Sequence, residues 1–358
     1  MIAPALLCAL GLPAGFLLIR RLPLCPPTHS HLTIALSIVI PARNEEQNLP
    51  RLLASIAASG TRPVEVIVVD DASTDNTGSV AQSLGAKVLA SAPPPAGWTG
   101  KSWACHQGAR QAIGDLLLFL DADTHFVPGG LDRLVACWLR ELDQGLVVSL
   151  LPYHAMTAAY EQFSLVFNLL MAAGAGGFGG VAEPKLFGQS LLIAKETYQA
   201  VGGHAAVRGV VLENLRFADV LRSSGARILC FGGRGTLHMR MFPEGFQQMS
   251  ESWAKAFMQG ARDAGAAVLV CAIIWIAALW STMLLLIAHG NNGRRPAVAV
   301  VYVLLGLQLA WIGRKLGSYS VITCLLYPVP LAYYCLVFGK SAARRALHRK
   351  ATWRGREV

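Results

Sequence analysis

Residues 116–123 read Leu116-Leu117-Leu118-Phe119-Leu120-Asp121-Ala122-Asp123. Five consecutive apolar side chains fit a strand buried on both faces, and its C-terminal end delivers two carboxylates two residues apart. Such a pair can hold a divalent metal, and a metal at a strand tip can hold a diphosphate. Upstream, Val66-Ile67-Val68-Val69 runs into Asp70-Asp71 in the same way. Two acidic strand ends within one α/β unit point to a nucleotide-diphosphate site.

The surrounding pattern supports that unit. Residues 34–40 read as a first strand, 41–46 as a loop, 48–58 as a helix, 60–63 as a turn and 64–69 as a second strand. Ser73 or Thr74 can cap a helix running to about residue 84. Residues 87–89 form a short third strand, and 101–113 fit a helix stopped by Gly114. A further helix runs to about Arg140, and 146–151 read as a strand. Strands alternating with helices give an α/β fold: a mostly parallel sheet flanked by helices, with ligands beyond the C-terminal strand ends. The loops 41–46, 70–75 and 121–124 all leave such ends.

The chain has 358 residues, 54% of them apolar, with a mean hydropathy of +0.45. The apolar excess lies at the two ends. Residues 2–19 carry no charge and are followed by Arg20-Arg21. A signal peptide is disfavoured, because no basic residue precedes the run and Pro23-Leu24-Cys25-Pro26-Pro27 is a poor cleavage site. A retained anchor over residues 1–21 is expected, and its basic C-terminal flank directs the following domain to the cytoplasm. Residues 266–288 are long enough to span a bilayer. Residues 297–312 are short for a span, and 319–338 are interrupted by Pro328 and Pro330. Three crossings after the domain would put the basic tail, 339–358, on the opposite side. One of the last two segments is therefore expected to be re-entrant or interfacial. Residues 156–180 read as an apolar helix against the membrane surface followed by a glycine-rich mobile loop.

The formal charge of +10 is concentrated in that tail, which suits anionic lipid headgroups. No nucleic-acid recognition motif accompanies it. The eight cysteines are scattered through apolar segments without a C-x-x-C pair, so neither a zinc site nor a disulfide framework is indicated.

Several side chains are candidates for chemistry. Asp121 and Asp123 would hold Mg²⁺ or Mn²⁺, which prefer oxygen ligands. Asp71 can accept hydrogen bonds from a ribose or a base; the plainer reading is a helix cap with Ser73 and Thr74. Gly100-Lys101-Ser102 matches the end of a phosphate-binding P-loop, but the opening glycine falls on Pro95, which disfavours ATP hydrolysis. Trp98 on a glycine hinge can cover a ligand, and Lys101 can reach a phosphate. Arg43 lies near the nucleotide or pairs locally with Glu45 and Glu46. Glu213 is the candidate base; Asp219, six residues on, faces away from it in a helix. Arg240 can hold a diphosphate, His238 can complete a metal shell, and Trp253 can stack on a sugar or simply pack.

Taken together, Ser37 to Glu46, the Val-Val-Asp-Asp-Ala-Ser-Thr-Asp run at 68–75 and Asp121-Ala122-Asp123 resemble the family 2 inverting glycosyltransferases with the GT-A fold. The match covers roughly 34–126 and extends, more softly, over 180–260. Within that family, Gly97-Trp98-Thr99-Gly100-Lys101-Ser102-Trp103-Ala104, Arg240 to Gly245 and Trp253-x-Lys255 are similar to the membrane-bound carotenoid-acid (diaponeurosporenoate) glycosyltransferases and hopanoid-associated relatives. The resemblance implies that Ala42, Arg43, Glu45 and Asp71 frame a uridine, and that Asp121 and Asp123 meet diphosphate and metal. It places the catalytic acidic pair on Glu213-Asn214. Many members carry an aspartate base at the second position; here Asn214 cannot take a proton, so either Glu213 acts or the acceptor needs no strong base. A carboxylate acceptor needs none, being ionised near neutral pH. The Gln-x-x-Arg-Trp motif of processive polysaccharide synthases is absent.

The expectation is a multi-pass inner-membrane enzyme with an N-terminal anchor (1–21), a cytoplasmic GT-A domain (34–262), transmembrane helices (266–338) and a basic tail. It would transfer a hexose, glucose in the carotenoid-acid case, from a UDP-sugar to a lipophilic acceptor, using Mn²⁺ or Mg²⁺. Rival readings are a polysaccharide or other lipid glycosyltransferase, a non-enzymatic lipid-binding protein and a nucleotidyltransferase. The last is the weaker rival, because this chain lacks the glycine-rich, lysine-bearing loop usual after such an enzyme's first strand. Oligomeric state is left open.

Overall fold

In the computed structural model, residues 2–28, 34–141, 145–210, 213–260, 265–288, 295–346, 352–353 and 356–357 are described. The elements in chain order are α1 (Ile2–Leu18), β1 (Leu36–Ala42), α2 (Leu49–Ala57), β2 (Glu65–Asp70), α3 (Thr77–Ser83) and β3 (Lys87–Ala90). Next come α4 (Gly100–Gln111), β4 (Leu116–Leu120), β5 (Thr124–Phe126), α5 (Gly130–Glu141), β6 (Leu146–Leu151) and β7 (Tyr153–His154). They are followed by α6 (Leu165–Gly176), β8 (Ser190–Ala194), α7 (Lys195–Ala200), α8 (Glu213–Ser223), β9 (Arg227–Gly232) and β10 (Leu237–Met239). The last helices are α9 (Phe246–Gly260), α10 (Ala266–Ala288), α11 (Arg295–Leu316), α12 (Val321–Leu325) and α13 (Pro328–Ala346).

The chain divides into two units. An α/β unit holds residues 22–154 and 184–240; a helical unit holds 1–21, 155–183 and 241–358. The expected single domain over 34–262 is thus narrower in the structure, because 155–183 and α9 group with the helices.

The α/β unit is built on a seven-stranded sheet in the order β3-β2-β1-β4-β8-β6-β9. Every pairing is parallel except those of β8, which runs antiparallel to β4 and β6. All five residues of β4 are buried, as a central strand covered on both faces requires. Leu49, Leu52, Leu53 and Ile56 give α2 one apolar face against this sheet. Gly108 lets α4 lie close on the sheet, since any Cβ there would strike Val39. β1 runs two residues beyond the expected strand, through Pro41. It still pairs with β2 there, but its pairing with β4 has ended at Val39↔Phe119. The missing proline N–H therefore falls where fewer ladder bonds are needed. A smaller sheet, β5-β10-β7, follows directly from the Asp121–Asp123 loop.

In the helical unit, α1 runs antiparallel to α10 and parallel to α11. Cys8 Sγ lies 3.2 Å from Thr282 Oγ1, and Gly11 abuts Ala278. Gln308 of α11 donates to Leu12 O (2.8 Å) and accepts from Trp275 Nε1 (3.2 Å), so a buried amide is satisfied between apolar helices. α10 and α11 are the two described helices long and apolar enough to cross a membrane. α11 is longer than the expected 297–312 segment, since it includes Gly313 and ends at Leu316 with Arg314 and Lys315 in its last turn.

One expectation holds here and one changes. Residues 319–338 are interrupted at the prolines, as expected: α12 stops at Leu325 and α13 begins at Pro328. Proline cannot continue a helix but fits a first turn. The 156–180 segment is not laid open to a surface. Leu165, Val166, Phe167, Asn168, Leu169 and Ala172 of α6 are fully buried. Ser164, just before α6, accepts from Trp253 of α9 (3.1 Å), and Asn168 donates to Tyr319 beyond α11 (2.6 Å).

Candidate active site

At the end of β4, Asp121 N donates to Gln189 O (3.1 Å), and Thr124 returns to Asp121 O through its N–H (3.2 Å) and hydroxyl (2.8 Å). This turn fixes both carboxylates. Asp121 Oδ1 lies 2.5 Å from Lys101 Nζ, and the same ammonium donates to Gly188 O (3.0 Å). Thr99 caps α4 by accepting from Ser102 N, which sets Lys101 in the first turn, aimed at β4. Burial works against the Lys101 charge, but the carboxylates of Asp121 and Glu213 outweigh it and raise its pKa.

Asp123 differs from its neighbour. Its Oδ1 is buried and has no hydrogen-bond partner among the described residues. Burial first, then the Asp121 and Glu45 carboxylates, push its pKa up to about 7, with Lys101 opposing. An orphaned carboxylate oxygen in a cluster of acids fits a cation ligand. No group of three or more His, Cys, Asp or Glu side chains is gathered as a metal site among the described residues, so His238 does not join the two aspartates in a three-ligand set.

The loops after β1 and β2 clasp each other. Asn44 (φ 57°) and Ala72 (φ 53°) both adopt left-handed backbone, a strained choice for residues other than glycine. Asn44 Oδ1 accepts from Thr74 N (2.8 Å), Asn44 N donates to Ser73 Oγ (3.0 Å), and Asp71 N donates to Ala42 O (2.8 Å). Glu45 N donates to Thr77 Oγ1 (2.8 Å). Arg43 pairs with Asp71 at 3.6 Å. Asp71 abuts Gly100, where any Cβ would strike its carboxylate. The α3 helix starts at Thr77, whose N–H donates to Asp75 Oδ1 (3.0 Å), while Asn76 N donates to Glu46 Oε2 (3.0 Å). Ser73 and Thr74 thus hold the Asn44 loop instead of capping, which leaves Asp71 at the mouth between β2 and α4.

Trp98 does not hang free. Its ring lies 5.0 Å from both Trp103 and His106 of α4, and Trp103 Nε1 donates to Ala92 O (2.8 Å). Glu213 opens α8 and is buried. Burial raises its pKa, with Lys101 pulling the other way. Asn214 presents its amide to Gly188, where any Cβ would meet Asn214 Nδ2 and would lie 3.6 Å from Lys101 Nζ. Asn214 and Lys101 therefore meet at Gly188, with Asp121 paired to Lys101 and Glu213 within its electrostatic reach. Sequence reading missed Gly188, since a lone glycine before an apolar strand carries no motif.

His238 sits in β10 opposite His125 and Tyr153, with ring centroids 5.8 and 4.9 Å away. Burial, then Arg51, lowers the pKa of His238; the same causes, with His238 added, lower His125 to about 4. Arg240 follows β10, one residue past the last pair of its antiparallel register, Met239↔Thr124. Trp253 belongs to the helical unit. It is 2% exposed, stacks on Phe167 at 4.8 Å and donates to Ser164. It packs, and the expectation of sugar stacking is corrected on that ground.

A mostly parallel sheet with paired acids at its central strand ends, a lysine on one of them and a buried glutamate beside it suit a group-transfer enzyme. A sequence profile described as "Glycosyl transferase family 2" matches residues 37–215. The 4,4'-diaponeurosporenoate glycosyltransferases of Staphylococcus aureus strains USA300 and MRSA252 are each 31% identical over 332 residues, covering 90% of this chain and 88% of theirs. The mannosyltransferase of Pyrobaculum calidifontis, solved in complex with GDP-Man and Mn2+, superposes with a TM-score of 0.54 at 19% identity, covering 95% of this chain and 94% of that one; this likeness concerns the fold, a GT-A arrangement. The chain belongs to glycosyltransferase family 2 and is a transferase enzyme.

Proposed function

We propose that this glycosyltransferase moves a hexose, glucose by preference, from a UDP-sugar to a lipophilic carboxylic acid of the carotenoid-acid kind, in one displacement with inversion. The observation that carries the reading is Asp123 Oδ1, buried without a partner beside an Asp121 already engaged by Lys101. These oxygen donors fit Mg²⁺ or Mn²⁺. When bound, such an ion supplies charge neutralisation for the leaving diphosphate.

The protein's own residues carry the remainder. Ala42, Arg43, Glu45 and Asp71 line the clasp where the uridine would sit. Lys101, held cationic by its carboxylate partners, offers charge to the departing diphosphate, and Arg240 adds a second cation. The acceptor oxygen attacks the anomeric carbon as the carbon–oxygen bond to the diphosphate breaks, and UDP leaves with the electron pair. An ionised carboxylate brings no proton, so Asn214 at the base position is no obstacle and Glu213 serves to orient Lys101. The helical unit supports attachment to the inner membrane, with the α/β unit on the cytoplasmic side where sugar nucleotides are made. The basic tail favours anionic lipid.

The test is transfer from radiolabelled UDP-glucose to a carotenoid acid by the full chain in membranes, with Mn²⁺ or with chelator, and product identified by mass spectrometry. Metal-dependent glucosyl ester is expected. Transfer unaffected by chelator, or by Asp123→Ala, overturns the metal assignment; transfer to hydroxyl lipids alone overturns the acceptor.

A further inference from the structure

We propose that α12 and α13 form a re-entrant hairpin, entering and leaving the bilayer from the face at which α1 and α11 end. The basic tail then emerges on the same face as Arg21. This rests on the reading of the helical unit as membrane-embedded.

α1 and α11 are parallel: Gln308 reaches Leu12 O, and Phe16 packs edge-on against Trp311 at 5.7 Å. Their C-terminal ends therefore share one face, and α10, antiparallel to α1, starts there. Lys315 covers the Trp311 ring at 3.3 Å, the pairing of cation and amphipathic ring expected where hydrocarbon meets water.

After Leu316 the chain turns and goes back in. Ser320 caps α12, accepting from Thr323 N at 3.0 Å. The end of α12 then packs on the middle of α11. Tyr302 Oη donates to Leu325 O (2.7 Å), the Tyr302 and Tyr327 rings lie 4.7 Å apart, and Gly306 admits Leu325 at close range. Residues 302–306 lie ten to fourteen residues before the end of α11, which is about 15–21 Å at 1.5 Å per residue. That depth is roughly the middle of a hydrocarbon core about 30 Å thick. At the tip, the paired prolines 328 and 330 end one helix and start the next. Ile322, Leu326 and Val329 are 71%, 55% and 53% exposed, an apolar outer surface that suits lipid.

The way out is also recorded. Tyr333 Oη lies 2.8 Å from Ser250 Oγ, and Ser341 Oγ donates to Ala254 O (2.8 Å). Both partners belong to α9, the helix that leads into the start of α10. The hairpin thus returns to the face it left. Backbone breaks at membrane depth are tolerated when they lie against protein, as this one does on α11.

Charge agrees. Arg20, Arg21, Arg314, Lys315 and Lys340 fall at one face, whereas the first turn of α11, at the other, offers Arg295. A third full crossing would separate the tail from the other cations, against the positive-inside tendency.

The experiment uses the full chain with a C-terminal epitope tag, in intact spheroplasts and in inverted inner-membrane vesicles. An Ala288→Cys variant at the exposed end of α10 is labelled with a membrane-impermeant maleimide; Arg295→Cys on the first turn of α11 gives an independent reading, and the parent chain sets the background. The expected result is resistance to carbonate extraction, loss of the tag to protease in inverted vesicles only, and labelling in spheroplasts only. Tag and label reached from the same side mean a full crossing and overturn the hairpin. Release by carbonate overturns the membrane reading beneath it.

Discussion

The two units obey opposite rules of burial. In the α/β unit, Leu36, Ile38, Leu116, Leu118 and Val148 are fully buried, and charge collects at the C-terminal strand ends. In the helical unit many of the large apolar side chains turn outward. Of the twenty-four exposed ones among the described residues, all but Leu24, Val64, Leu84 and Ile113 belong to it. Buried polar groups there such as Gln308 and Thr282 are bonded internally. On the proposed reading, the two units face different solvents. One concentrates unsatisfied charge where a water-soluble donor would arrive, and the other presents hydrocarbon where a lipid acceptor would.

The sharpest way to break this division is at its most polar point. Asp123→Ala is expected to lower transfer by about 10³-fold or more, and to abolish the response to Mn²⁺, by removing an oxygen whose loss leaves diphosphate charge unneutralised. Initial rates with and without metal check it, and a rate within tenfold of the parent would remove the site from the polar unit. Next in size is Lys101→Ala. With its ammonium gone, Asp121 and Glu213 stand unopposed, and kcat is expected to fall by about 10²–10³-fold. Lys101→Arg should recover part of that. Equal losses in both variants would mean that Lys101 only packs.

The same contrast explains what the sequence made legible. β4 could be read because a strand buried on both faces must be apolar throughout, so the two aspartates after it had to mark its end. α10 could be read because length and apolarity alone define a span. α6 could not: a helix like Leu165–Gly176 has the same composition whether lipid or protein covers it, and only Ser164, Asn168 and their partners reveal which. Trp98 looked free because a glycine precedes it. Its contacts come from Trp103 and His106, which stand one helical turn apart and offer it a common face. Trp253 is ambiguous for the same reason as α6. Gly188 is invisible in sequence, since its importance lies in the two side chains that three-dimensional folding brings to it.

Acid should separate the units by a middling amount. His154 and His204 of the α/β unit have pKa values lowered to about 3, in both cases chiefly by burial, with Lys101 and His106 adding at His204. In the unfolded chain each titrates near 6.5. Above that value neither state binds the proton and stability is unaffected. As pH falls below it, the unfolded chain takes protons that the folded one refuses, so stability falls. By pH 5 the loss is about 2 kcal/mol per histidine. The helical unit has no histidine among its described residues. Calorimetry of the detergent-solubilised protein at pH 7 and pH 5 should therefore shift the α/β transition and leave the helical one in place; equal shifts would break the comparison.

A substitution in the other unit should do the converse. A side chain at Gly11 meets Ala278 of α10, so Gly11→Leu is expected to destabilise the packing of α1 on α10 by about 1–3 kcal/mol. Binding of UDP to the α/β unit, measured by calorimetry, should be unchanged. A parallel loss of UDP affinity would show that the two units are not energetically separable.

The smallest expected effect is at Glu213. If the acceptor were a hydroxyl, its proton would have to leave during attack, and removing the base would reduce the rate by about 10²–10⁴-fold. Asn214 cannot take that proton, which leaves Glu213 as the carboxyl beside Lys101. Burial holds Glu213 towards its neutral form, a poor state for a base and an adequate one for orienting a lysine. With a carboxylate acceptor, Glu213→Gln should therefore lower kcat by less than tenfold, equivalent to about 1.4 kcal/mol, and Asn214→Asp should bring no gain. The proton balance of the reaction decides between the two readings. A hydroxyl acceptor makes the rate rise with pH as the base ionises, whereas an acid already ionised gives a flat profile from pH 6 to 8. A large Glu213→Gln defect together with a rising profile would assign the base to Glu213 and the acceptor to the alcohols.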